Sequence, residues 1–401
     1  MQDIIIVGAG PAGTSTATFL AKKGYNILLL EKEKFPRDKV CGDAIGPTSL
    51  RRLKEIGICN IEKENFKSCS SVCFFSPSNT KVKAKLPLVE GLDDFGLIIQ
   101  RKKIDYILAD HAIKFGVKLI EQFEVKQPLI ENNKVIGVKG IYKGKQEIIK
   151  SKIVVAADGT HSTIARKLAE KGRKHKSKYS AIAVRTYFEN VEELGNYLEI
   201  YYEKSILPAY GWIFPISNTS ANVGVAIHYR HYKKQNKTIT QLFYDFINNN
   251  KYAKRKLKNA KMIHSLKGWP VSYDSHPSKK YHSGVIFVGD AASLVDPLSG
   301  EGISNALLSG KLAAKAIDLA LRTNDYSELK NYQKEWDKLM KPSLNASVLL
   351  QHLMSYPFIV DRVIKKANQD EKLAQTLSGC ITGIFPKTKM LSSDIIRRII
   401  F

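Results

Sequence analysis

Residues 1–31, MQDIIIVGAGPAGTSTATFLAKKGYNILLLE, decide how the rest of the chain is read. Ile4 to Val7 form an unbroken apolar run, the composition of a strand buried on both faces. Gly8, Gly10 and Gly13 follow as G-x-G-x-x-G, then helix-forming residues, then a second apolar run from Ile27 to Leu30 that ends on Glu31. Each glycine answers a separate steric demand: Gly8 makes the tight turn, Gly10 lets backbone approach a pyrophosphate, and Gly13 lets helix pack on strand. The helix start aims its free N–H groups at the phosphates. Glu31, closing the second strand, is placed to accept hydrogen bonds from the ribose hydroxyls of an adenosine. Glycine turns are common, but this one stands in its full strand, helix, strand and acid context. A dinucleotide site is therefore the reading, in preference to a glycine-rich turn without a ligand.

The remaining composition bounds the answer. A chain of 401 residues exceeds one typical domain and accommodates two or three units. Its 44% hydrophobic and 25% charged content is that of a globular protein. The cysteines Cys41, Cys59, Cys69, Cys73 and Cys380 are odd in number and lack metal-ligand spacing, which argues against a disulfide framework or a metal site and for a reducing, cytoplasmic setting. The chain enters a strand at once, leaving no room for a signal peptide, and no stretch approaches the ~20 apolar residues of a spanning helix. The net charge of +25 comes from lysines scattered over nearly every segment, with short runs such as KGRKHKSK (171–178) and KKQNK (233–237). Such a surface is either simply solvated or attracts anionic lipid head groups, at about 1 kcal/mol per favourably placed cation. No nucleic-acid module accompanies the charge, so nucleic acid is not expected as a partner.

Beyond Glu31, strands and helices do not alternate without interruption. The loop KEKFPRDKVCGDAIGP (32–47) leads to a helix near Thr48 to Ile56 and a strand-rich stretch reaching about residue 96. Helical spacing returns in QRKKIDYILADHAIKFG (100–116), strands follow near 117–126, 134–142 and 145–150, and KIVVAADGTHSTIARKL (152–168) reads as a buried strand, Asp158-Gly159 and a helix. Residues 179–275 read mainly as strands, and the chain from about 312 onward as helical. In HSGVIFVGDAASLVDPLSGEGISNALLSG (282–310) a strand ends at Gly289-Asp290 and a helix starts near Gly302 and Ile303. This predicts a discontinuous nucleotide-binding domain (1–60, 97–175 and 276–320), a β-rich substrate domain (61–96 and 176–275) and a helical C-terminal region (321–401).

Gly8, Gly10, Gly13, Glu31, Arg101, Asp158-Gly159 and Gly289-Asp290 together resemble the FAD-binding set of the hydroxylase-type flavoproteins. Within them, RDKVCGDAIGP (37–47) and PAYGWIFP (208–215) resemble the geranylgeranyl reductase family, whose P-x-Y-x-W-x-F-P is matched by Pro208, Tyr210, Trp212, Phe214 and Pro215. Some members carry consecutive glycines after the cysteine, where this chain has Gly42-Asp43-Ala44. The resemblance implies an α/β fold: a Rossmann-like FAD-binding domain with an inserted, mainly antiparallel β-sheet substrate domain and a helical C-terminal tail.

It also implies roles. Asp290 would hydrogen-bond the ribityl chain of FAD, the other reading being a turn cap. The helix beginning at Gly302 and Ile303 would turn its partly positive N-terminus to the pyrimidine edge of the flavin and stabilise the anionic reduced form. Ala12 and Glu31 would hold the adenosine diphosphate half, and Cys41, Gly42 and Ala44 would line the flavin. Arg101 would neutralise the pyrophosphate or contact the flavin chain, and Val125 would make a backbone contact to adenine. Asp158 is either cofactor-facing or a turn residue after a buried strand.

Cys41 lies beside Arg37 and Lys39, a setting that lowers a thiol pKa. It is read as lining the cofactor, with proton donation as a further role. Tyr210, Trp212 and Phe214 alternate and so share one face of a strand. The resemblance makes that face the wall of a substrate pocket, with Pro208, rather than a packed core face. The implied activity is saturation of carbon–carbon double bonds in a polyprenyl, geranylgeranyl-type group on a lipid, quinone or related carrier, by hydride transfer from reduced FAD. Cys41, Tyr210 and Trp212 are the catalytic candidates, and the proton comes from Cys41, Tyr210 or a held water. NAD(P)H and a ferredoxin both remain open as electron donor.

Two other readings stand beside it. One is a monooxygenase or halogenase of the same superfamily, although GWIFPI (211–216) lacks the second tryptophan of the halogenases' W-x-W-x-I-P. The other is a redox-inert FAD-containing protein at a membrane surface, supported by charge alone. The tail NASVLLQHLMSYPFIVDRVIKK (345–366) places Val348, Leu349, Leu353, Phe358, Ile359 and Val363 near Arg362, Lys365 and Lys366, with Pro357 breaking the run. Packing on the body explains it, and so does peripheral docking on an anionic, cytoplasmic membrane surface. Oligomeric state is open.

Overall fold

The strand Gln2–Val7 lies inside an eight-stranded sheet because Ile4, Ile5, Ile6 and Val7 are apolar toward both faces and all four are buried. The computed structural model describes residues 2–168, 179–273 and 279–401; the basic run 171–178 and the expected boundary near 175 lie outside them, as does 276. The sheet runs in the order Tyr281–His282, Val285–Phe287, Lys145–Ala156, Gln2–Val7, Ile27–Leu30, Lys118–Ile120. All but the first of these strands are parallel, with Ile6 opposite both Val155 and Leu29. The helix Pro11–Ala21 packs against Ile303–Thr323 and Arg101–Lys114, and Ser15 Oγ donates to Leu307 O at 2.8 Å. The long strand Lys145–Ala156 changes partner along its length. Its polar first half pairs antiparallel with Lys134–Tyr142, which pairs with Phe123–Glu131, and its apolar second half enters the parallel sheet.

A second sheet joins two separate stretches of chain. Its order is Lys261–Met262, Ser180–Glu189, Ala221–His228, Gly211–Pro215, Tyr197–Tyr201, Ser71–Phe75, Lys81–Lys85, with Lys267–Ser272 also on Ser180–Glu189. Its pairings are antiparallel except that of Tyr197–Tyr201 with Ser71–Phe75. A small third sheet, Ala44–Ile45, Gly96–Ile98 and Lys67–Cys69, lies where the loop after Glu31 meets these strands.

The span 179–275, read mainly as strands, also holds the helices Ile239–Asn249 and Lys251–Lys256. Thr238 and Gln241 form a reciprocal capping box, and Ile239, Leu242, Phe243 and Phe246 bury one face against the second sheet. The T-x-x-Q spacing of Thr238 and Gln241 carries this helix start in the sequence.

The tail forms the helices Lys330–Leu353, Pro357–Ala367, Glu371–Ile381 and Ser393–Ile400. Pro357 ends one helical run by opening the next, in the first turn where its missing N–H costs nothing. Val360, Ile364, Leu373 and Cys380 share a core with Val72, Phe74, Trp212 and Phe214, so the tail packs on the inserted sheet beside the aromatic segment. No helix among the described residues is long and apolar enough to cross a membrane.

Candidate functional site

Because the central strands are parallel, the loops that leave them gather at one edge of the sheet, where α/β folds bind ligands. These loops, carrying Gly8, Gly10, Glu31, Asp158-Gly159 and Gly289-Asp290, line a cavity of about 810 Å³. Gly8 takes φ +101°, and a Cβ there would overlap the Ala157 carbonyl oxygen. A Cβ on Gly13 would overlap the oxygen of Gly8. Gly10 differs, since the nearest atom to an added Cβ is Arg37 Nη2 at 3.9 Å, so its open side faces the cavity. The helix Pro11–Ala21 has no side-chain cap and no acid in its first turn, which leaves its N–H groups free toward that space.

Gly8, Gly10, Ala12, Glu31, Val125 and Asp158 line the large cavity, while Arg101 and Asp290 line both it and a neighbouring cavity of about 200 Å³. The smaller one is walled by Cys41, Gly42, Tyr210, Trp212, Phe214, Gly302 and Ile303. Ala44 lines a further recess of about 130 Å³ shared with Cys41, Gly42, Phe214, Gly302 and Ile303. Gly13 lies behind the turn it permits, and Pro208 is buried in the turn before the strand Gly211–Pro215. Neither lines these cavities.

The charges between the loops are connected. Glu31, only 4% exposed, accepts from Ala9 N at 3.0 Å, Glu33 N at 3.1 Å and Arg37 Nη2 at 3.1 Å, so it braces the glycine turn as well as facing the cleft. Arg37 Nη1 also donates to Asp105 at 2.7 Å, and Arg101 grips the same carboxylate through Nε at 2.9 Å and Nη2 at 2.8 Å. The Arg101 fork, expected at the pyrophosphate or flavin chain, is thus turned to Asp105. Burial pushes the Asp105 carboxyl up, but Arg101 and Arg37 outweigh it and hold the group below the usual carboxylate range. Asp290 meets Lys39 Nζ at 2.9 Å and Thr160 Oγ1 at 3.3 Å, and against the effect of burial Lys39 holds it ionised below its ordinary value. Asp158 lines the cleft and also serves the turn: Oδ2 accepts from Thr163 N at 2.8 Å, while Oδ1 is buried and makes no hydrogen bond among the described residues. An orphaned oxygen, an uncapped helix start and the space at Gly10 fit FAD, whose ribityl hydroxyls and pyrophosphate supply the missing donors and anion.

Cys41 departs from its expectation. Burial raises its thiol pKa, and Arg101 and Lys39 offset only part of that, so the thiol is held protonated. Next to it, Asp43 is fully buried, and its carboxyl is pushed up to about 6 by burial, with Tyr187 and Asn222 acting against the rise. Burial also keeps the Tyr210 phenol protonated, and its hydroxyl donates to Ser299 O at 2.5 Å. Ring centroids of Tyr210 and Trp212 lie 6.3 Å apart and those of Trp212 and Phe214 6.2 Å, which makes the three one continuous wall. Beyond it, the tail encloses an apolar cavity of about 320 Å³ lined by residues including Phe74, Leu350, Met354, Ile359 and Val363. Leu298 lines this cavity and the aromatic one alike.

Reading the sequence missed Asp43, Lys39, Asp105, Tyr187 and Asn222 as parts of the site. Arg101 and Asp105 stand four apart on one helix, a signal that was available. The others meet only through the tertiary fold.

A model of the FAD binding domain family matches residues 1–345. The digeranylgeranylglycerophospholipid reductase of Methanocaldococcus jannaschii is 33% identical over 396 residues, 96% of this chain and 92% of that protein. A chlorinase of pyrrole-2-carbonyl groups on a peptidyl-carrier protein, from Pseudomonas fluorescens, is 27% identical over 356 residues, 81% of this chain and 78% of that one. Among solved structures, a geranylgeranyl bacteriochlorophyll reductase-like protein of Thermoplasma acidophilum superposes with a TM-score of 0.85 at 23% identity, covering 97% of this chain and 98% of that one.

Proposed function

The chain belongs to the FAD binding domain family and, within it, to the geranylgeranyl reductases, FAD-dependent enzymes; from that premise we propose that it saturates double bonds of a geranylgeranyl-type chain on a glycerophospholipid. One observation carries the reading: the aromatic-walled cavity beside the cofactor cleft shares Leu298 with an almost wholly apolar cavity under the tail helices. A long, flexible, apolar chain is the ligand that needs both. The lipid carrier is preferred to a quinone because the M. jannaschii relative is named for a glycerophospholipid.

In this reading the large cleft holds FAD through Gly8, Gly10, Ala12, Glu31, Val125, Asp158 and Asp290. Bound and reduced, FAD supplies the hydride. The chain's own residues do the rest. Tyr210, Trp212 and Phe214 fix the alkene against the cofactor side and exclude water. The proton for the second carbon is held on a neutral acid beside the pocket, and both Cys41 and Tyr210 are kept protonated by burial. Tyr210 already donates to Ser299 O. Cys41 has no such commitment: its sulfur accepts from Asp43 N at 3.4 Å, which leaves it the better placed donor. Gly302 and Ile303 line the pocket at the start of a long helix, where Ser304 N donates to the Glu301 carboxyl at 2.7 Å.

The test uses dithionite-reduced protein under anaerobic conditions with a geranylgeranyl glycerophospholipid. The flavin should reoxidise without oxygen while the lipid gains the mass of added hydrogen. Reoxidation by oxygen alone would instead support the monooxygenase or halogenase reading, and no redox response at all the inert one.

A lipid substrate also calls for a route from the bilayer. Leu349, Tyr356, Phe358, Ile396 and Ile400 are exposed, Phe358 at 69%, and Lys365 and Arg397 are exposed beside them. Ile359, Val363, Ile396 and Ile400 line the apolar cavity, so this patch coincides with its rim. Arg362 Nε donates to Ile399 O at 2.8 Å and ties the last helix to Pro357–Ala367. We therefore expect cosedimentation with anionic vesicles, weak binding to neutral ones, and release by high salt. Equal binding to both, or binding to neither, would count against electrostatic docking at this patch.

A further inference from the structure

Asp43 adopts φ +66°, a backbone conformation that glycine takes freely and other residues rarely do. It is also fully buried. An ionisable side chain in such a place needs strong compensation, and the structure supplies it from separate elements. Oδ1 accepts from Arg101 N, at the start of the helix Arg101–Lys114, at 3.1 Å. Oδ2 accepts from Tyr187 Oη at 2.8 Å and from Asn222 Nδ2 at 2.7 Å, on two paired strands of the inserted sheet.

Asn222 spends all its groups in the same place. Its amide nitrogen also donates to Cys41 O at 2.8 Å, and its oxygen accepts from Trp212 Nε1 at 2.9 Å. On the other side, Asp43 O accepts from Ile99 N at 2.9 Å. An unbroken chain of hydrogen bonds thus runs from the Cys41 turn, through Asp43 and Asn222, to the indole of the pocket wall. We infer that Asp43 is a positioning residue: its carboxylate locks the Cys41–Gly42 turn to the inserted sheet and sets Trp212 against that turn, so that the cofactor-side loop and the substrate-side wall hold one fixed spacing.

The consequence is selective. Without the carboxylate, Asn222 has an unmatched donor and is released to turn, which frees both Cys41 O and Trp212. The adenosine end of the large cleft is spared, because Gly8, Gly10, Glu31 and Asp158 make no use of Asp43 in the hydrogen bonds described, whereas Arg101, which lines both cavities, donates to it through its backbone N–H. The inference rests on the reductase reading only for its kinetic consequence; its structural content rests on the loop alone.

The test compares FAD-loaded wild type with Asp43→Asn, Asp43→Gly and Tyr187→Phe. Asn tolerates positive φ but replaces an acceptor with a donor, Gly removes the clamp without backbone strain, and Tyr187→Phe deletes one donor and leaves the carboxylate. Alkylation of Cys41 by iodoacetamide is followed by mass spectrometry, with exposed Cys59 as the internal reference. The Cys41 to Cys59 ratio should rise about tenfold or more in both Asp43 variants, and less in Tyr187→Phe, because losing hydrogen bonds to a charge favours local opening. Trp212 emission, isolated by subtracting the matching Trp212→Phe spectra, should shift with it. If a variant fails to fold, the milder Tyr187→Phe still decides the outcome. An unchanged ratio and unchanged emission in the folded variants would overturn the inference. In turnover, kcat should fall with KM little changed. Because alkylation and emission involve no alkene, a protein that passes them and reduces no prenyl chain would overturn the reductase reading and leave this inference standing.

Discussion

Gly13→Ala is expected to strip the protein of FAD and lower its melting temperature together. The added Cβ would overlap the Gly8 oxygen, lie 3.1 Å from the Gly8 carbonyl carbon and 3.2 Å from Ala157 Cβ. These atoms belong to the turn itself and to the strand end beside it, so there is no flexible side chain to yield. The helix Pro11–Ala21 must then move off the sheet, and its free N–H groups leave the position they hold over the cleft. Overpacking of this kind costs about 1–3 kcal/mol, and the same displacement should weaken FAD binding by roughly 10- to 100-fold. Gly10→Ala is the control, because its Cβ meets nothing closer than 3.9 Å. It should melt near wild type and still bind FAD poorly, since the space it fills is the ligand's. Fluorescence titration of the apoprotein with FAD and thermal melts of both variants check this; normal affinity in Gly10→Ala would remove the pyrophosphate from that position.

Asp105→Ala should be the most destabilising single substitution among the buried charges. Its carboxylate is fully buried and serves Arg101 and Arg37 together. Removing it leaves the Arg101 guanidinium without its hydrogen-bonded carboxylate and Arg37 with Glu31 alone among its ion pairs described, and breaking such a buried pair costs about 3–5 kcal/mol. Urea unfolding should show a loss of that order, and a loss under about 1 kcal/mol would mean that solvent or Glu31 compensates. The pH dependence has a defined sign. The folded carboxyl lies below its ordinary 3.8, so its contribution is present above that value and is lost as pH falls through the depressed one. The variant should therefore lose less stability on acidification than wild type.

Much of the fold was legible because its signals are local. Four apolar residues before Gly8, a helix with no room for side chains at Gly13, and four more apolar residues before Glu31 fix a strand, helix, strand unit within 31 residues. The α/β class, the FAD cofactor and the helical tail followed from such stretches and from the resemblance they carry. The helices Ile239–Asn249 and Lys251–Lys256 lie in a span that reads mainly as strands, and their caps, a capping box at Thr238 and Gln241 and an Asn250 cap, mark where a helix begins and say little about the strands on either side.

The charges of the site were another matter. The resemblance implies a cofactor contact for Arg101, which lines the cleft, but its guanidinium pairs with Asp105, the same carboxylate that takes Arg37 from a loop 64 positions earlier. The cations beside Cys41 in sequence point to a lowered thiol pKa, whereas burial raises it and outweighs Arg101 and Lys39. Asp43 looked like a departure from a glycine run until Tyr187 and Asn222 arrived at its carboxylate from strands more than 140 residues away. By itself the sequence determined where backbone must turn, which runs must be buried and which ligand class suits the turn, since steric demand and hydrophobic periodicity act between near neighbours. Only the tertiary structure decided which buried charges pair, which acids stay protonated and how the tail closes an apolar cavity over the aromatic wall. Burial and Coulomb energy depend on distance in space, and chain separation carries no record of it.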